Sequence, residues 1–310
     1  METADKTKFF PAPAAGKILC KTIVDGDTFF FANPGAIQMS KALAKIKPVV
    51  ELPKTYLSVN NQEVAQGTNI NSVVVPDALR VKVKTGVEWF DHAADHDNPG
   101  FTPSMVVLFT AGPGCGKSTL CRQLADAATG EGHIALYNAG EESIFQVKLT
   151  CERLDLGDGF IISCDPKIDQ VLDHARALLK KEPGKQLFLF IDSLATMDDG
   201  FYKDGTINSM TAVRVMKKIV EFCKETLAIA IVIGHVNKAG KFAGKQQMKH
   251  DIDAHAHMSF VANSKSRKFK FTKNRFAAVP VRGTILEMSA GGLTMIEDDA
   301  TVELEDADED

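Results

Sequence analysis

The sequence predicts an α/β fold, with a mostly parallel sheet covered by helices on both faces. Three observations carry this reading. From Arg80 onward, apolar runs of strand length alternate with segments whose apolar residues recur every three or four positions. The runs Met105–Thr110 (MVVLFT) and Leu187–Ile191 (LFLFI) are apolar at nearly every position, as in strands buried on both faces. Finally, strand follows helix follows strand, the rhythm of crossover connections.

The elements follow in order. Residues 1–79 form an N-terminal extension rich in Pro and Gly, to which no chemistry is assigned; Phe29–Phe31 and Val73–Val75 read as strands and Ile37–Ile46 as a helix. The core spans 80–296. Its first strand, Met105–Thr110, leads through a glycine-rich turn to a helix over Lys117–Ala128, then a strand over His133–Asn138. Ile144, Val147, Cys151 and Leu154 mark one face of the next helix, and Phe160–Cys164 is a short strand. Ile168, Val171, Leu172, Ala175, Leu178 and Leu179 mark another helix. Leu187–Ile191 ends in Asp192; a helix over Met210–Glu225 leads to the strand Ala228–Ile233. Residues 297–310 read as an acidic disordered tail. Ligands of parallel sheets sit at the carboxyl ends of the strands, so the polar residues there are the candidates for chemistry.

Composition excludes several classes. Hydrophobic residues make up 45% and charged residues 25% of the 310, the balance of a globular protein rather than a disordered or collagen-like one. No apolar run approaches the ~20 residues that span a bilayer, and Met1–Phe10 holds no signal-like stretch, so no membrane role and a cytoplasmic location are expected. The six cysteines form no C-x-x-C pair and give no zinc or redox motif. Charge is unevenly placed. Nine acidic residues and no Lys or Arg follow Ile296, whereas Lys238–Arg275 holds ten basic residues against Asp251 and Asp253. A basic body with an acidic tail points to a polyanionic partner, with the tail as a competitor for its site.

Ala111-Gly-Pro-Gly-Cys-Gly-Lys-Ser118 joins the first core strand to a helix, the setting in which a glycine-rich string cradles phosphate. Backbone N–H groups of Gly112, Pro113–Gly116 and the turn into Thr119 surround an anion, apart from the N–H that Pro113 lacks, and the helix N-terminus adds partial positive charge. Lys117 would reach the β- and γ-phosphates, and Ser118 would ligate Mg²⁺. Ala111 stands where the pattern wants Gly. Asp192, at a strand end, is the second candidate for holding Mg²⁺, through water. Hydrolysis further needs a group that orients or deprotonates water. Glu141 and Glu142 follow the strand ending at Asn138, read here as a neighbour of the phosphate loop; one is the candidate base and the other a first-turn acid.

Gly140–Ser143 (GEES), Ile191–Ser193 (IDS), Gly234–Lys238 (GHVNK) and Lys273–Phe276 (KNRF) resemble the RecA-like P-loop ATPases, and within them the RadA (Sms) branch of DNA-repair proteins. The resemblance covers about 80–296. It implies ATP and Mg²⁺ as ligands, Glu141 as catalytic glutamate and His235 as a γ-phosphate sensor. It makes 238–250 a single-stranded DNA loop, with Lys238, Lys241, Phe242, Lys245 and Lys249 as contacts. It implies that Lys273 and Arg275 act on the nucleotide of a neighbouring subunit in a homo-oligomer, ring or filament. Two cations two residues apart on a strand share one side, and a transferring phosphoryl group needs such donors. The family's four-cysteine zinc element and protease-like domain have no counterpart in these residues. The resulting expectation is a DNA-dependent ATPase of recombination or repair; the alternatives are a replicative ring helicase and an ATP-gated scaffold. His250, His255 and His257 invite a metal reading, but 255 and 257 alternate as strand residues do. Trp89 and Phe90 read as core.

Overall fold

The computed structural model describes residues 67–235, 247–280 and 282–296, together with four short strands before them. These pair as two hairpins: β1 (Cys20–Val24) with β2 (Asp27–Phe31), and β3 (Tyr56–Val59) with β4 (Gln62–Ala65). They belong to a first compact unit, Met1–Val74, and the core to a second, Val75–Asp310. The expected helix over 37–46 lies outside the described residues. Val73–Val75 is not a strand. A 3-10 turn over Ile70–Ser72, capped by the Asn69 side chain, precedes it, and Pro76, which has no N–H for a ladder, follows; Val74 is exposed.

The second unit is built on one sheet of nine strands. In chain order its elements are α1 (Glu88–Ala94), β5 (Val106–Ala111), α2 (Lys117–Gly130), β6 (Ile134–Ala139), α3 (Ile144–Arg153), β7 (Ile161–Ser163) and α4 (Ile168–Lys181). Then come β8 (Leu187–Asp192), α5 (Ser209–Thr226), β9 (Ile229–His235), α6 (Gln247–Asp251), β10 (Ala254–Phe260), β11 (Arg267–Asn274), β12 (Thr284–Ser289) and β13 (Gly292–Met295). The spatial order is β13-β12-β11-β10-β5-β9-β8-β6-β7. The six strands from β10 to β7 are parallel, and β11, β12 and β13 extend the sheet antiparallel.

Alternation along the strands explains the two layers. Val107, Phe109, Tyr137, Phe188 and Phe190 point to one face and pack with α1, α2 and α3. Val106, Leu108, Leu136, Leu189 and Ile191 point to the other, against α4, α5 and α6. Phe90 is buried and Trp89 partly so, edge-on to Phe90 and Phe269, as core residues. In α3 the apolar face is narrower than the sequence predicts: Val147 and Cys151 are buried, but Ile144 is exposed.

The topology corrects one expectation about the site. The strand that leads to Glu141, β6, is not a neighbour of the phosphate-loop strand β5, because β9 and β8 lie between them. Proximity of Glu141 to the loop therefore depends on side chains that reach across two strand ends.

Candidate nucleotide site

The phosphate loop turns at the end of β5. Ala111, where the pattern wants Gly, is the last residue of that strand, with its methyl buried and ordinary strand geometry. The substitution is therefore sterically free. Positive backbone angles fall instead at Gly114 (φ 74°) and Gly116 (φ 104°), which a side chain would strain. A Cβ on Gly116 would also lie 2.4 Å from Met288 Cε, so the loop passes tightly under the β12–β13 hairpin. Gln123 of α2 fastens that hairpin by exchanging hydrogen bonds with the backbone of Leu293.

Gly116 caps α2 without any side-chain hydrogen bond, which leaves the first N–H groups of a 14-residue helix to face an anion. Pro113 and Gly114 are exposed, Cys115 is buried, and Lys117, Ser118 and Thr119 are half-buried at the helix start. Lys117 Nζ donates to the carbonyls of Ala111 (2.9 Å) and Gly112 (3.2 Å), so its ammonium lies back over the loop. Burial pushes the Cys115 thiol up despite the Lys117 charge, which keeps it a protonated filler. This donor set fits a triphosphate.

Asp192 ends β8 and is buried, with Tyr137 Oη donating to its Oδ2 at 2.5 Å. Burial and the Asp192 charge push the Tyr137 hydroxyl well up, so it stays a donor. Burial, and next the Asp192 charge, push the buried Cys121 thiol of α2 well up, so it stays protonated. Ser118 and Asp192 are the residues present that fit a Mg²⁺ ion beside phosphate. Among the described residues no cluster of three or more His, Cys, Asp or Glu forms a metal cage.

The two glutamates are separated by their partners. Ser193 Oγ donates to Glu141 Oε1 at 2.6 Å, and His235 Nε2 lies 3.0 Å from the same oxygen and 2.9 Å from Ser193 Oγ. The Ser193 bond, aided by His235 and Lys117, holds the Glu141 carboxyl below its ordinary range against partial burial. His235 is directly paired in register with Ala111. Across the strand ends the line of contact thus runs from loop to His235 to Ser193 and Glu141, which is how a glutamate from β6 comes near a loop on β5. Gly140 makes this possible: its N–H donates to Asp192 O at 2.6 Å, and a Cβ there would lie 2.0 Å from Thr196 Oγ1. Glu142 turns the other way, to the buried Arg122 at 2.6 Å. It is not a first-turn acid of α3, whose N-cap is Ser143 with a capping box to Gln146. Sequence reasoning singled out neither Arg122 nor Tyr137, which carry no motif; Ser193 was in view only as part of the IDS string.

Lys273 and Arg275 sit elsewhere. Lys273 pairs with His255 on β10, whereas the loop residue Ala111 pairs with Met258, three residues farther along; at 3.3 Å per residue that is about 10 Å. Their side chains reach still farther from the loop. Lys273 Nζ donates to Ile252 O (2.6 Å), and Arg275 donates to His250 O (2.5 Å) and pairs with Asp253 (3.4 Å). Burial and then Arg275 lower the Lys273 ammonium. β11 ends at Asn274, so Arg275 lies just past the strand, yet both cations converge on the end of α6. His255 and His257 both approach Thr110 Oγ1, each at 2.9 Å, as strand residues on one side of β10. Lys238, Lys241, Phe242 and Lys245 lie outside the described residues, as does the side chain of Lys249 in α6.

No family model matches the chain. DNA repair protein RadA of Streptococcus pneumoniae (strain R6) is 30% identical over 227 residues, 73% of this chain and 51% of that protein. RadA of Mycobacterium tuberculosis (strain H37Rv) is 28% identical over 230 residues, 73% of this chain and 46% of that one. A KaiC-like protein from Pyrococcus horikoshii OT3 matches in structure, with a TM-score of 0.56 and 18% identity over 69% of this chain and 98% of that one. The core has the RecA-like fold and resembles the RadA proteins in sequence. The chain spans about half the length of the RadA proteins it matches. In this RecA-like core, the loop, Asp192 and the Glu141–Ser193–His235 cluster all lie at the carboxyl ends of the parallel strands.

Proposed function

We propose that this chain is a DNA-dependent ATPase of the RadA type, acting in recombination or repair on single-stranded DNA. The observation that carries the reading is the pairing of His235 with Ala111, together with its contact to Glu141. It gives one residue a place beside both the phosphate loop and the candidate catalytic carboxylate, at the end of the strand that leads into the basic 238–250 segment.

In this reading the backbone N–H groups of 112–119 and Lys117 hold the β- and γ-phosphates. Ser118 and Asp192 would hold Mg²⁺, which when bound would supply charge neutralisation on the phosphate oxygens. Glu141 accepts a hydrogen bond from the attacking water and aims it at the γ-phosphorus. The bond to the β-phosphate oxygen breaks as the new P–O bond forms, giving ADP and inorganic phosphate, and the water's proton leaves with the phosphate or through Glu141. A carboxylate held below its ordinary range is a weak base, so its main service is orientation. Ser193 fixes that orientation and His235 senses it.

Lys273 and Arg275 point away from the loop of their own chain, and this geometry supports their acting on a neighbour's nucleotide in a homo-oligomer. The Lys238–Lys249 cations suit phosphate rather than base edges, so weak sequence preference and steep salt dependence follow. Lys117→Ala tests the reading through steady-state hydrolysis: loss of DNA-stimulated turnover is expected, and unchanged turnover contradicts it.

A further inference from the structure

The buried side of α2 is apolar except at Arg122 and Asp126. Asp126 has a local task, since its Oδ1 accepts the Gly159 N–H at 2.7 Å. Arg122 is different. It is 3% exposed, and its Nε is buried without a hydrogen-bond partner among the described residues. A guanidinium taken out of water in this way stabilises a fold poorly, and an apolar side chain of similar volume often does as well. Its Nη2 donates to Glu142 Oε1 at 2.6 Å, and the guanidinium carbon lies 5.8 Å from the centre of the Tyr137 ring. Arg122 therefore ties the helix of the phosphate loop to the turn that carries Glu141.

That turn, residues 140–143, joins β6 to α3. Its ends are fixed by the backbone and the cap: Gly140 N–H donates to Asp192 O, and Ser143 makes the capping box of α3. Between them the side chains hold adjacent residues to different partners, Glu141 to Ser193 and His235 and Glu142 to Arg122. The Glu142 carbonyl adds a long contact from the Cys164 thiol, at 3.9 Å. We propose, on the reading of Glu141 given above, that Arg122 is a positioning residue. By pinning Glu142 it fixes the 140–143 turn and so keeps the Glu141 carboxylate on Ser193 and His235. Arg122 is too buried to touch substrate, so it acts through Glu142. It lies on the same helix as Lys117, so one rigid element holds the phosphates and sets the carboxylate that orients water. The rival assignment makes Glu142 itself a second water-orienting carboxylate; its engagement by Arg122, rather than by Ser193 and His235, argues against that.

Steady-state ATP hydrolysis by variants of the whole chain tests this, with nucleotide Kd, Tm and the pH profile of kcat measured alongside. Arg122→Met fills the buried space, and the partly exposed Glu142 it releases can turn to water. Nucleotide Kd should be kept while kcat falls about tenfold or more, as small misplacements of a catalytic group do. The acid limb of kcat should move upward, because a Glu141 loosened from Ser193 takes up a proton at higher pH. Arg122→Lys, which keeps a cation for Glu142, should recover part of the rate. Glu142→Gln attacks the same pair without opening the core. It should slow turnover less than Glu141→Gln does, and add nothing to Arg122→Met in the double variant. An Arg122→Met protein with the parent's kcat overturns the proposal, as does one with lower Tm and slower turnover but an unmoved acid limb. A Glu142→Gln protein as inert as Glu141→Gln overturns it too, and would make Glu142 a catalytic carboxylate. If instead Glu141→Gln turns over at the parent's rate, the reading of Glu141 fails first and the role of Arg122 falls with it.

Discussion

Replacing Tyr137 with Phe isolates one interaction beneath the site. The ring is fully buried, packed beside Phe160 and Phe190, and Phe keeps that packing. Only the hydroxyl is lost, with its 2.5 Å bond to Asp192 Oδ2. Among the described residues this is the one side-chain hydrogen bond that the buried carboxylate accepts. A hydrogen bond to a charged group contributes about 1.5–3 kcal/mol, and a buried carboxylate left without its donor sits toward the upper part of that range. Taking about 2 kcal/mol, and about 2–4 °C of Tm per kcal/mol for a unit of this size, Tm should fall by about 4–8 °C. Thermal unfolding followed by far-ultraviolet circular dichroism at neutral pH measures it. A Tm within about 1 °C of the parent's would refute the view that Tyr137 sets the Asp192 carboxylate in place.

Further outcomes follow from the same geometry. Ser193→Ala removes the largest influence holding Glu141 down, so its carboxylate takes up a proton at higher pH; the acid limb of kcat should move upward, and an unmoved limb contradicts the assignment. Gly140→Ala forces a Cβ against Thr196 and should displace Glu141, cutting kcat by about tenfold or more with nucleotide affinity kept, as small misplacements of a catalytic group do. Lys273→Ala should bind nucleotide yet turn over slowly, and mixing it with Lys117→Ala protein should regain turnover if the cations act between subunits. A mixture as inert as its parts argues against that.

The sequence made the parallel core legible because strands such as LFLFI, buried on both faces, have no reason to carry polar residues until their ends. The phosphate loop was equally legible, since Gly114 and Gly116 fall at the two positive backbone angles and Lys117 follows. What sequence could not show was strand order: β6 follows β5 in the chain but lies three places away in the sheet, because α2 crosses over two strands that arrive later. Nor could it divide labour between Glu141 and Glu142, adjacent in sequence and opposite in partner. Arg122 claims Glu142 through a helix position with no motif around it, and Ser193 claims Glu141 from another strand end. Val73–Val75 misled because three β-branched residues suit a strand only where a partner ladder exists, and Pro76 and the turn at Ile70–Ser72 leave them none.

The central claim is that nucleotide hydrolysis at this loop is coupled to single-stranded DNA. Steady-state ATP hydrolysis measured with and without single-stranded DNA, at low and moderate salt, tests it most directly. The account predicts strong stimulation by DNA that fades as salt rises. Tight ATP binding with a negligible rate, unchanged by DNA at either salt, would contradict it and leave a nucleotide-gated scaffold in its place.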